Sequence, residues 1–314
     1  MGDHGPAAKA DECGRRRGRA HLELELRAEL VWEDGAVLAE GPCWDLERGV
    51  LWWVDIVSHK VHALDPRMRM DRSWDVGGYV GAVVPRRAGG LVVALQDGLY
   101  ALDPDTGERT PLARVEHGPQ VRFNDGKCDP AGRFWAGTMS TNEQPAMGAL
   151  YALEADRTVR RVIAPVTVSN GLGWSPDRGT MYYIDSPTRQ VLAYPYDIAQ
   201  GALGEPRVAA AIPAGEGVPD GMTVDAEGMI WVAQWGGWKV SRFDPRTGER
   251  LATVAVPAAR ASSCAFGGAE RDVLYITTAC AGMSADERES QPLAGGVFCV
   301  RPGVRGLPTD AYAG

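Results

Sequence analysis

The sequence predicts an all-β protein, a six-bladed β-propeller with a metal site on its central axis. Three observations predict it: a composition rich in turn formers, a repeat of 40 to 50 residues, and polar residues that recur at one register of that repeat. Aliphatic and aromatic residues make up 45% of the 314-residue chain, enough for a large core. Its 39 glycines and 21 prolines suit a folded protein with many turns. The net charge of −8 argues against nucleic-acid or membrane partners, because both need a basic face.

The repeat begins with six short runs of strand-forming residues: VLWWVDI from Val50, GLVVALQ from Gly90, RFWAGTM from Arg133, TMYYIDS from Thr180, MIWVAQW from Met229 and VLYITTA from Val273. Counted from Leu51, Leu91, Arg133, Met181, Met229 and Val273, the intervals are 40, 42, 48, 48 and 44 residues. Each run is followed by a second alternating segment ending in a turn, such as GLYALDPDTGER and KVSRFDPRTGER, where Asp, Pro and Gly occupy positions their backbone preferences suit. A period of this length with several short strands per unit marks a propeller blade. Trp52, Trp53, Trp135, Tyr182, Tyr183, Trp231 and Tyr275 are expected to seal the interfaces between blades.

The first twenty residues are polar and Gly-rich and lack the apolar run of a secretory signal. They are expected to form a disordered tail, leaving 21–314 as a single propeller domain. The segment from His21 to Trp32 is expected to complete the last blade's sheet and close the ring. No window approaches the roughly 18 continuous apolar residues of a membrane span. Cysteines 13, 43, 128, 264, 280 and 299 are scattered without a CxxC pair, which fits reduced thiols in a cytoplasm and leaves one disulfide open.

About ten residues before each strand run lies an equivalent short segment: AEGPCWD with Glu40, GGYVGAV, RFNDGK with Asn124, VSNGLGW with Asn170, VPDGMTV with Asp220 and ASSCAFG with Ser263. The first strand of a propeller blade lines the central channel, so these positions converge on the axis although they lie far apart in the chain. Taken singly, Asn-Gly and Asp-Gly are ordinary turn dipeptides. In one register of separate blades, Glu40, Asn170 and Asp220 instead make an oxygen-rich site, with Asn124 opposite. Such a site suits one divalent cation: calcium, magnesium or manganese, with zinc also possible.

LAEGPCWD, VRFNDGKCDPAGRFWAGTM, VSNGLGWSPD, MYYIDS, VPDGMTVDAEGMIWVAQWGG, SSCAFGG and QPLAGGVF resemble, in order, segments of the regucalcin and gluconolactonase family of six-bladed propeller lactonases. The resemblance covers roughly Leu38 to Val300. It implies that Glu40, Asn170 and Asp220 hold the metal, that Arg122 and Asn124 hold a sugar lactone, and that Asp125 supports their loop. Asn142 stands where regucalcin carries a substrate-contacting glutamate, so an amide there would bind a hydroxyl as both donor and acceptor. The implied activity is metal-dependent hydrolysis of an aldonolactone, such as gluconolactone or a pentonolactone, to the aldonic acid. Asp220 is then the candidate to accept a proton from the attacking water. A related propeller esterase or phosphotriesterase, with a more apolar pocket, and a non-catalytic calcium-binding propeller are the alternatives.

Other features carry less. His4, His21, His59, His62 and His117 show no ligand spacing, and the pair 59 and 62 is expected on a strand surface. No GxSxG elbow occurs, and Ser262, Ser263 and Cys264 lack a histidine in register, which argues against a serine or cysteine nucleophile. Lys127 and Asp129 are expected in a structural turn after the site. The loops Thr141 to Met147 and Ala214 to Val218 are expected to shape the pocket.

Overall fold

The computed structural model describes residues 1–2 and 23–314. Six antiparallel sheets follow one another along the chain, and their first strands are Ala39–Asp45, Val80–Pro85, Val121–Cys128, Ser169–Trp174, Val218–Val224 and Ala261–Gly267. Each first strand touches the first strands of both neighbouring sheets, and the sixth touches the first, so the sheets are blades closed around one axis. This is the six-bladed propeller that the repeat predicts. Among the described residues the one α-helix is the short Ala285–Ser290, begun by a capping box between Ser284 and Glu287.

Blade 1 continues outward through Val50–Asp55, Lys60–Asp65 and Met70–Asp75. Blade 6 continues through Val273–Thr278 and Val297–Val300 and takes its outermost strand, Glu29–Trp32, from the N-terminal part of the chain. Part of the expected closing segment therefore does close the ring. The rest differs: Leu24–Arg27 runs parallel to Arg250–Ala255, on the outer edge of blade 5. Ala28, between the two strands, is buried in the apolar cluster that blades 5 and 6 share. His21, and the expected tail apart from Met1 and Gly2, lie outside the described residues.

The aromatics expected between blades are all buried. Trp44 of blade 1 stacks on Tyr275 of blade 6 with centroids 5.6 Å apart, and Trp231 of blade 5 meets Phe266 of blade 6 edge-on at 5.9 Å. Blades 1, 3 and 5 also share a polar pin. Asp45, Asp129 and Asp225, at the outer ends of their first strands, accept the indole N–H groups of Trp52, Trp135 and Trp231 at 3.2, 3.0 and 2.9 Å. Asp129 is thus the structural residue the sequence suggests. Lys127 is not in a turn. It sits within the first strand of blade 3 and donates from Nζ to the Met222 carbonyl of blade 5 at 2.8 Å, a bond across the channel.

The Asn-Gly and Asp-Gly pairs are not turns either. Every first strand changes register against its second strand near the position of interest, between Glu40 and Cys43, Val80 and Ala82, Phe123 and Asp125, Ser169 and Leu172, Pro219 and Met222, and Ala261 and Ser263. Such irregularities re-aim side chains at the rim of a sheet. Glycine follows because the next blade is so near. A Cβ on Gly171 would lie 2.7 Å from the Asp220 carbonyl oxygen, and one on Gly221 only 2.0 Å from Ser263 Oγ.

The far end of the channel is covered by the C-terminal segment, where Tyr312 N donates to the Pro85 carbonyl and Ala313 N to the Gly132 carbonyl, both at 2.9 Å. Because a Cβ on Gly221 would lie 2.0 Å from Ser263 Oγ, Gly221→Ala should destabilise the fold by about 1–3 kcal/mol through overpacking. Gly78→Ala, whose Cβ meets nothing within 4 Å, should be near neutral. Thermal or denaturant unfolding of the two variants checks this.

Candidate active site

Glu40, Asn170 and Asp220 each fall at the irregular position of a first strand, in blades 1, 4 and 5, and all three are buried. The backbone around two of them is clamped. The carboxylate of Asp55, at the end of blade 1's second strand, accepts from the Val37 and Leu38 amides at 2.9 and 3.1 Å, just before Glu40. Asp185 does the same in blade 4, accepting from Thr167 and Val168 at 3.1 and 2.9 Å, just before Asn170. Ser186 then fixes the amide plane of Asn170: Nδ2 donates to Ser186 Oγ at 3.0 Å, while Oδ1 is buried with no hydrogen-bond partner among the described residues.

The two carboxyl groups are only 2% and 7% exposed as residues, and they feel one another. Burial, then the charges of Asp220 and Asp125, push Glu40 well above the usual carboxylate range, against the Gly41 N–H, which donates to Oε2 at 2.8 Å, and the Arg122 charge. Burial, then the Asp125 charge, push Asp220 well above it too, opposed by contacts with Asn170, Glu40 and the Gly221 amide. Burial also raises Asp125, against the Lys127 charge and the Gly126 N–H. Two crowded, buried carboxyls beside an orphaned amide oxygen fit a hard divalent cation, which would neutralise the carboxylates and give the Asn170 oxygen its missing partner.

Arg122 stands beside this group, 8% exposed. Burial lowers its guanidinium to about 10, against the neighbouring groups Tyr79, Glu40, Glu143 and Asp220, so it stays charged at neutral pH. Its Nη1 donates to the Phe123 carbonyl at 2.9 Å and to Asn124 Oδ1 at 2.7 Å, and its guanidinium carbon lies 5.9 Å from the centre of the Tyr79 ring. Asn124 in turn donates from Nδ2 to the Ser169 carbonyl of blade 4 at 2.9 Å. Its amide therefore holds Arg122 in place and ties blade 3 to blade 4, with one N–H left over.

Asn142 lies exposed in the loop after Phe134–Ser140, its Oδ1 accepting from Ser140 Oγ at 2.5 Å. The acidic charge that this loop brings to Arg122 is that of Glu143, set in a left-handed backbone conformation at φ 56°. Tyr79, Glu143 and Ser186 carry no signal in the sequence, because a residue's reach into a pocket has no periodic pattern in the chain.

The chain belongs to the SMP-30/gluconolactonase/LRE-like family, whose profile matches residues 38–280. It is 43% identical to regucalcin of Danio rerio over 292 residues, covering 92% of this chain and 99% of that protein. It is 40% identical over 289 residues to YvrE of Bacillus subtilis (strain 168), a protein provisionally named a sugar lactone lactonase, covering 91% and 99%. The crystal structure of a calcium-binding protein, regucalcin from Agrobacterium tumefaciens strain C58, superposes with a TM-score of 0.88 at 28% identity over 92% of this chain and 98% of that one.

The raised carboxyls give a signed pH dependence. In metal-free protein Glu40 and Asp220 hold protons at pH values where the unfolded chain, with carboxyl pKa values of about 4, has released them. The folded state then binds more protons than the unfolded one, so this contribution to stability is complete at low pH and lost as pH rises above about 4. Asp220→Asn should stabilise the metal-free protein more at pH 7.5 than at pH 5, and should abolish most of the stabilisation by added calcium or manganese. Melting curves of both proteins with chelator and with each cation check both signs.

Proposed function

We propose that this chain hydrolyses sugar lactones to aldonic acids with the help of one divalent cation held by Glu40, Asn170 and Asp220. The observation that carries the reading is the buried pair of carboxyls beside the unpartnered Asn170 oxygen, with a charged arginine fixed next to them. The relative provisionally named a sugar lactone lactonase supports the same class, a hydrolase of cyclic carboxylic esters. When bound, the cation would polarise the lactone carbonyl and stabilise the developing oxyanion.

The chain's own residues would do the rest. Arg122 has five N–H donors and commits Nη1 to the protein, so the remainder of its planar fork can face ring and carbonyl oxygens of the substrate. Asn124 acts by positioning Arg122. Glu143 and Asn142, from the loop beside Arg122, would accept and donate hydrogen bonds to sugar hydroxyls. Asp220 would take the proton of the attacking water: its carboxylate is at the metal group, and burial and the Asp125 charge make it more basic than a free aspartate.

The charged Arg122 and Glu143 favour a polyhydroxylated substrate over an apolar ester or phosphotriester. The buried free cysteines suit a reducing compartment such as the cytoplasm.

A panel of five- and six-carbon aldonolactones, an aryl ester and a phosphotriester, assayed after chelation and after return of each divalent cation, tests the reading. Metal-dependent hydrolysis of at least one aldonolactone, faster than that of the ester or phosphotriester, is expected; the reverse preference refutes it. Asp220→Asn should lower kcat/KM by about 10²–10⁴-fold, the range of a lost general base. Arg122→Lys keeps the charge but loses the planar fork, and should act mainly by raising KM.

A further inference from the structure

A second set of metal-ligating side chains lies far from the axis, at the seam where the ring closes. His62, on the third strand of blade 1, was expected on a strand surface but is only 2% exposed. Its ring stacks on Trp53 of the neighbouring strand, with centroids 3.8 Å apart and planes 16° apart, which fixes its orientation. Asp71, on the outermost strand of blade 1, faces it: His62 Nδ1 and Asp71 Oδ2 are 2.7 Å apart. A third group, the exposed Asp34, follows the strand Glu29–Trp32 that closes blade 6. One ligand atom from each of Asp34, His62 and Asp71 lies within 4.8 Å of the others.

A simple hydrogen bond between His62 and Asp71 leaves too much unexplained. The Asp71 side chain is 6% exposed, yet its Oδ1 is buried with no hydrogen-bond partner among the described residues. A buried carboxylate oxygen without a donor costs the full desolvation of that atom. Asp34, whose Oδ1 accepts a long hydrogen bond from the Trp32 indole at 3.4 Å, adds a second carboxylate at the same place, and among the described residues the one cationic partner there is His62, if protonated. We propose that Asp34, His62 and Asp71 bind a divalent transition ion of the zinc class.

The ion would take the place of the proton between His62 and Asp71. His62 Nδ1, both Asp71 oxygens and one Asp34 oxygen then supply four donors, and the exposed side at Asp34 gives entry and room for water. Imidazole with carboxylates selects zinc over calcium, in contrast to the oxygen-only group on the axis. Because two ligands come from blade 1 and one from the segment that completes blade 6, the ion would fasten the two blades where the chain closes on itself, and so stabilise the folded ring.

The test uses the full chain with its axial group disabled by Glu40→Gln and Asp220→Asn. Equilibrium dialysis against zinc, with metal counted per chain, should find one zinc retained, tighter than calcium, with a raised melting temperature. Cobalt(II) in its place should give visible absorption bands of a nitrogen-ligated site. Adding Asp34→Asn, an exposed change that leaves the core intact, should weaken zinc affinity by about tenfold or more, and Asp71→Asn should do the same. Asp34→Asn alone should leave lactone hydrolysis unchanged. Absence of zinc binding in the axial double variant, or binding undiminished by both Asp34→Asn and Asp71→Asn, overturns the proposal.

Discussion

The close approach of the six first strands around the axis is the constraint on which the rest of this structure depends. Glycines at 171 and 221 let neighbouring blades meet with backbone against side chain, and no larger residue fits there without moving the next blade. The register change at each of these positions turns one side chain per blade away from its own sheet. Glu40, Asn170 and Asp220 are brought together by this packing and by nothing local to their own segments. The aromatic layers farther out, such as Trp44 on Tyr275, hold the blades at the spacing the inner contacts need.

Such packing is expensive in electrostatic terms. Three buried carboxyls, Glu40, Asp125 and Asp220, face two buried or half-buried cations, Arg122 and Lys127. All three acids are pushed upward by burial, and the mutual repulsion among them adds to that for Glu40 and Asp220. Crowded like charges of this kind are the usual mark of a site shaped for something it binds, because an apolar replacement would be more stable in the free protein. The supporting shell is correspondingly firm: Asp55 and Asp185 each grip two backbone amides, and Ser186 and Asn124 each use a side-chain bond to fix a neighbour.

The ring seam answers a different physical need. A closed ring has one place where the chain must be joined to itself, and here that join uses two short N-terminal strands on two different blades. Strands of four residues contribute few hydrogen bonds, so the join is where the ion proposed for Asp34, His62 and Asp71 would add to the stability of the ring.

The sequence by itself determined the blade count, through six strand runs at near-regular spacing, and determined which positions share a register, including Glu40, Asn170 and Asp220. Both are properties of order along the chain, and periodicity records them. Only the tertiary structure decided the uses of the individual groups. Lys127 reads as a turn residue but spans the channel, and the loop expected to shape the pocket carries Asn142, hydrogen-bonded to Ser140, beside Glu143, whose charge Arg122 feels. His62 reads as surface but is buried against Trp53. Each outcome depends on which side of a strand meets another blade, a matter of packing between segments distant in sequence that no local pattern encodes.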